Sequence, residues 1–114
     1  MRKPGDLYQR FIHLYLAAEK LSDLPALSLV ENRILSLLSS YWLKNQPITV
    51  VESIKMAPDI STSTVFRHLK SLRRKGYVEL VVEEVDNRVK YVTPTDLTAD
   101  YFDMMGKSMI KAMK

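Results

Sequence analysis

Hydrophobic spacing along the chain is helical, then extended, then helical again. Leu7, Phe11, Leu14, Ala18 and Leu21 follow i, i+4, i+7, i+11 and i+14, one face of a helix over residues 6–22. Tyr8, Ile12 and Tyr15 add an adjacent stripe, so the apolar surface is wider than one small core needs. That width predicts a helix shared with a partner chain. Pro25 prevents the helix from continuing through the connector 22–27. Ser28-Leu29-Val30-Glu31 is a capping box, in which hydroxyl and carboxylate each satisfy an orphan backbone N–H. The helix it opens runs to about Trp42, with Val30, Ile34, Leu37, Leu38 and Tyr41 inward. Thr49-Val50-Val51-Glu52 is a second box and predicts a helix of about two turns, to Met56 or Ala57. Ser61 caps a further helix through Lys75, and Gly76 is the left-handed stop expected after it.

From Tyr77 the period becomes two. Val78, Leu80 and Val82 alternate with Tyr77, Glu79 and Glu83. Beyond the polar Asp86-Asn87, Val89, Tyr91 and Thr93 alternate with Arg88, Lys90 and Val92, which predicts a hairpin. Pro94 ends it, and a last helix covers residues 96–113. The expected fold class is therefore mainly α with a small β-hairpin (α+β). It is one domain over 1–114, with a core at 28–93 and dimerisation helices at 6–22 and 96–113.

Composition narrows the function classes. The chain has 114 residues, 46% apolar and 26% charged, values of a soluble globular domain. The absence of cysteine excludes disulfides, thiolate nucleophiles and cysteine zinc sites, and fits a reducing, cytoplasmic setting. No apolar run approaches a membrane span, and no apolar stretch of a signal peptide follows the basic N-terminus Met1-Arg2-Lys3. His13 and His68 stand alone, without the spacing of a metal site, and no cofactor is expected. There is no Ser/His/Asp set and no glycine-rich phosphate loop, so an enzyme is not expected.

The net charge of +4 is concentrated. Arg67, Lys70, Arg73, Arg74 and Lys75 fall within Ser61–Gly76, which holds no acidic residue. At about 100° per residue, Val65, Leu69 and Leu72 face the core, while Ser63, Arg67, Lys70 and Arg74 lie opposite, with Thr64 and Ser71 on one flank. An α-helix fits the DNA major groove with its first turns at the base edges. Thr62, Ser63 and Arg67 are thus candidates for base reading, and Lys70 and Arg74 for phosphate contact. The backbone N–H groups at Thr49 and Ser61 offer further phosphate contacts. Arg88, in the hairpin, either enters a minor groove or pairs with Glu84 or another hairpin acid. Phe66 is on a flank, where packing under the hairpin is favoured over contact with a thymine methyl group.

Two capped helices, the second basic, followed by a hairpin make a winged helix-turn-helix pattern. Over roughly residues 28–98 the sequence resembles the MarR (multiple antibiotic resistance regulator) family. The resemblance lies in Ile48-Thr49-Val50, in Ile60-Ser61-Thr62-Ser63-Thr64-Val65, in Leu69 and Leu72-Arg73-Arg74-Lys75-Gly76-Tyr77-Val78-Glu79, and in Asp86-Asn87-Arg88. It implies a homodimer that binds palindromic double-stranded DNA, usually as a repressor. The chain departs from the family in its helix-helix turn, where Ala57-Pro58-Asp59 replaces the usual glycine. Its single C-terminal helix and its acidic wing, with Glu79, Glu83, Glu84 and Asp86, depart as well. A related winged-helix group would dimerise through the C-terminal helix alone. A different reading is a winged helix that docks on an acidic protein and never binds DNA. Met104, Met105, Met109 and Met113 suit either dimer packing or a small-molecule effector pocket. Packing is favoured, because the sequence shows no cluster of polar groups to orient a ligand.

Overall fold

Side-chain caps decide where most of the helices begin. The computed structural model describes residues 3–114, and Met1 and Arg2 of the basic N-terminus lie outside the described residues. Helix α1 spans Pro4–Leu21, opening on a proline at its first position, where no N–H is needed. Helix α2 (Leu29–Leu43) starts at Ser28, whose Oγ accepts from Glu31 N at 3.1 Å while Ser28 N donates to Glu31 Oε1 at 2.8 Å. Thr49 and Glu52 repeat that box at α3 (Val50–Ser53). Ser61 caps α4 (Thr62–Lys75). Strands β1 (Val78–Val82) and β2 (Lys90–Pro94) form the hairpin, and α5 (Asp96–Met113) closes the order.

Leu27–Asp96 is one compact unit, and α1 with α5 forms another. In the first unit α2 packs on α4, and Ile34, Leu35, Leu38, Val65, Leu69 and Leu72 are all buried. The buried stripe of α2 is Glu31, Ile34, Leu35 and Leu38, an i, i+3, i+4, i+7 set. Leu35 therefore takes the central place expected of Leu37, and Val30, Leu37 and Tyr41 are half-buried at its margins.

One further expectation needs correction, and the fold settles a choice that alternation leaves open. Helix α3 is a single turn, because Lys55 N and Met56 N turn back to Glu52 O and Ser53 O. These i→i−3 bonds tighten the chain before Pro58. In β2 the buried residue is Val92, set opposite Leu80 by the antiparallel register, while Tyr91 stays half-buried. The cause lies outside the hairpin: Val92 N donates to Ile48 O at 2.8 Å, and Thr49 bridges Tyr91. Ile48–Thr49 thus acts as a rudimentary third strand that fixes which side of β2 faces inward. Trp42 Nε1 adds a bond to Val92 O at 3.0 Å.

In the α1–α5 unit no residue of α1 is buried. Phe11 and Tyr15 stack at 5.8 Å, yet Tyr8, Leu16 and Leu21 are exposed. On α5, Phe102, Met109, Ile110 and Met113 are exposed too.

Candidate nucleic-acid interface

Helix α4 is amphipathic, with one apolar side and a cationic outer side. Val65, Leu69 and Leu72 anchor it inward, and Thr62, Ser63, Arg67, Lys70 and Arg74 are exposed. Gly76 ends it with φ 90°, a left-handed conformation that an L side chain resists. Tyr77 N then returns to Leu72 O at 2.9 Å, which reverses the chain into the hairpin.

The hydroxyls at the start of α4 have different duties. Ser61 Oγ accepts from Thr64 N at 3.2 Å and donates to Thr64 Oγ1 at 2.7 Å. Ser61 and the half-buried Thr64 therefore fix the first turn, and Thr62 and Ser63 are left outward. Thr49 has a similar internal duty. Its amide donates to Glu52 Oε1 at 3.0 Å and its Oγ1 accepts from Glu52 N at 3.1 Å. Those bonds hold the Glu52 carboxyl below its usual range, first through the Thr49 amide. The resulting carboxylate sits at the N-terminus of α3, where it would repel a phosphate rather than leave room for one.

The cations divide into two groups. Arg33 makes a two-pronged pair with Asp59 at 2.6 and 2.7 Å, joining α2 to the turn before α4. Lys75 Nζ lies 2.7 Å from Glu31 Oε1, on the side of α4 that faces α2. Arg88 Nε lies 3.0 Å from Asp86 Oδ1, so its partner is the acid two residues earlier and not Glu84. That guanidinium holds the Asp86 carboxyl below its usual range. Among the described residues, Arg67, Arg73 and Arg74 have no acidic partner. The Lys70 ammonium rests over the Phe66 ring, 4.7 Å from its centroid. The hairpin acids are partly occupied as well. Glu83 Oε2 accepts from the Tyr91 hydroxyl at 3.1 Å, which leaves Glu79 and Glu84 as its outward acids.

Solved structures share this fold. The heme sensor protein PefR from Streptococcus agalactiae, in complex with heme, is 20% identical over 97% of this chain and 76% of its own, with a TM-score of 0.61. The transcriptional regulator Tm0710 from Thermotoga maritima is 14% identical over 94% of this chain and 72% of its own, with a TM-score of 0.65. The MepR F27L mutant from a multidrug resistant S. aureus clinical isolate is 20% identical over 99% of this chain and 79% of its own, with a TM-score of 0.60. No protein-family model matches the chain, and no curated protein matches it. At these identities the likeness shows the fold. This is a winged helix-turn-helix.

In the winged helix, two features escape the sequence. One is Glu31, which is buried and joins α2 to the far end of α4. Its Oε2 accepts from Ser71 Oγ at 2.6 Å, while Oε1 takes Lys75 and the Ser28 amide. Burial alone would push its carboxyl up, but the bonds from Lys75, Ser28 and Ser71 outweigh it and bring it to about 2. The helical wheel carried a signal: Ser71 and Lys75 are four apart on one flank of α4, away from Arg67. The other feature is a groove of about 560 Å³ between α3, α4 and the wing. Phe66, Lys70 and Arg73 line it from α4, and Arg88 and Lys90 from the wing. Within the other unit, a groove of about 480 Å³ lies between α1 and α5. Asp100, Asp103, Lys107 and Lys111 border it, a convergence of polar groups that the sequence reading had not placed there.

Among the described residues no group of three His, Asp or Glu side chains can hold a metal ion. Among the described residues no helix is long and apolar enough to cross a membrane.

Proposed function

We propose that this protein is a MarR-type transcription regulator. It would act in the cytoplasm as a homodimeric repressor that reads a palindromic DNA site, without catalysis. The observation that carries this reading is the selective pairing of cations. Arg33, Lys75 and Arg88 have carboxylates within the fold, whereas the outer face of α4 keeps Arg67 and Arg74 without one. A face built only for solubility would often carry acids three or four residues away from its cations. A face that meets phosphates gains by excluding them.

Arg67 is the principal base reader, with Thr62 and Ser63 in the turn before it, because a bidentate arginine–guanine contact discriminates by about 1–3 kcal/mol. Lys70 and Arg74 set register on phosphates. Thr49, Ser61 and Thr64 position the two helices. Arg88 must leave Asp86 to reach a groove. The exposed apolar residues of α1 and α5 form the dimer contact. The two copies of α4 then enter successive major grooves about 10 base pairs apart. The α1–α5 groove is read as part of that contact. An effector pocket there is the second use it offers, since PefR was solved with heme.

Glu79 and Glu84 favour the other reading, a winged helix that docks on a protein. Selection from a random duplex pool at low and moderate salt separates the two. The regulator reading expects a palindrome that the wild type selects and Arg67→Ala does not. Binding without sequence preference would sink it.

A further inference from the structure

Phe66 and Val51 expose apolar surface on the groove between α3, α4 and the wing, beside the residues placed at the base edges. Phe66 is 41% exposed and Val51 is 61% exposed. Phe66 lines the groove with Leu80 and Val89 of the wing, and its ring also carries the Lys70 ammonium, which is attracted to the π face on the cationic side of α4. Phe66 follows Ser63 by three residues and precedes Lys70 by four, so it belongs to the same strip of helix surface as both. Among the described residues no carboxylate lines the groove; Lys70, Arg73, Arg88 and Lys90 do. An apolar wall bordered by cations alone fits a polyanion that presents one small apolar group. The DNA major groove presents a single such group, the 5-methyl of thymine.

We infer that Phe66, together with Val51, receives a thymine methyl group in each half-site, so that the protein distinguishes thymine from uracil and cytosine by apolar contact. This rests on the DNA reading above and adds to it a second specificity-determining contact, independent of the hydrogen bonds of Arg67. Lys70 then has two tasks, orienting the ring and meeting the phosphate of the strand that carries the thymine.

The test begins with the duplex that the full-length wild type selects from a random pool. Each thymine is replaced singly by deoxyuridine, which removes only the methyl group. Affinities are measured by fluorescence anisotropy for the wild type, Phe66→Ala and Phe66→Leu, with circular dichroism to confirm folding. Burying one carbon is worth about 0.8 kcal/mol, or about fourfold in affinity. One thymine per half-site should therefore show about a fourfold preference over uracil in the wild type. Phe66→Ala should bring that ratio near one, and Phe66→Leu should keep most of it. If no thymine responds, or if the preference survives in Phe66→Ala, the methyl contact is wrong and the DNA reading stands. If the wild type selects no sequence at all, both fall together.

Discussion

Replacing Glu31 by glutamine removes a charge from the interior of the winged helix at nearly constant volume. The folded protein holds this carboxyl at about 2, against an ordinary value of 4.5. A folded value below the unfolded one means that the ionised form stabilises the fold. The contribution is complete above about pH 4.5 and is lost as pH falls towards 2. A gap of this size corresponds to about 3 kcal/mol at pH 7, and about 1.4 kcal/mol of it survives at pH 3. Breaking a buried ion pair from one side costs a similar 3–5 kcal/mol or so, and here the Lys75 side chain is only 32% exposed. Urea unfolding of wild type and Glu31→Gln at pH 7 and pH 3 measures both figures. Taking the difference between the two proteins cancels the other carboxylates, including Glu52, Asp59 and Asp86, which titrate in both. Glu31→Gln should be less stable by about 3 kcal/mol at pH 7, with less than half of that gap left at pH 3. Equal stability at pH 7, or a gap that does not narrow in acid, would refute the assignment of Glu31 as the ionised anchor of α4.

Other substitutions test other parts of the structure. Arg74→Ala should weaken binding to all DNA sequences alike and lower the log–log salt slope by about 1 per subunit, read from titrations at several salt concentrations. Ile110→Glu and Leu16→Glu place charges on the exposed apolar faces of α5 and α1; each should shift sedimentation from dimer to monomer. Gly76→Ala forces an alanine into a left-handed conformation and should cost about 1 kcal/mol in urea unfolding, with no change in DNA sequence preference.

The helix starts were legible because a capping box is complete within four consecutive residues. Ser28 through Glu31 and Thr49 through Glu52 carry both members of each reciprocal pair, so no distant contact is needed to place them. Gly76 is equally local, since its backbone angle is set by the turn it makes. The hairpin was legible as a hairpin but not in its inward face. Alternation by itself offers two faces, and the choice of Val92 was made by Ile48, far back in the chain. The same distance hid Glu31–Lys75 and Arg33–Asp59. Their spacings of 44 and 26 residues are set by how α2 packs against α4 and its preceding turn, which no local pattern encodes.

The candidate site shows the same division between local pattern and distant contact. The outward direction of Arg67, Lys70 and Arg74 follows from the position of Val65, Leu69 and Leu72 on one helix, so periodicity alone places it. Periodicity says nothing of which cations the fold neutralises. From sequence, five basic residues in one run look equivalent, and the wing looks acidic enough to repel DNA. In the structure Lys75 is drawn to Glu31, while Glu83 and Asp86 are occupied within the wing. Both changes sharpen the contrast between the two sides of α4: the flank towards α2 is neutralised, and the outer face keeps its charge. An acidic protein could meet that outer face, but it would have little use for exposed Ser63 and Phe66 set between the cations. On the proposed reading a duplex would use all of them, with hydrogen-bonding edges, a methyl group and phosphates at the spacing of one helix in one groove.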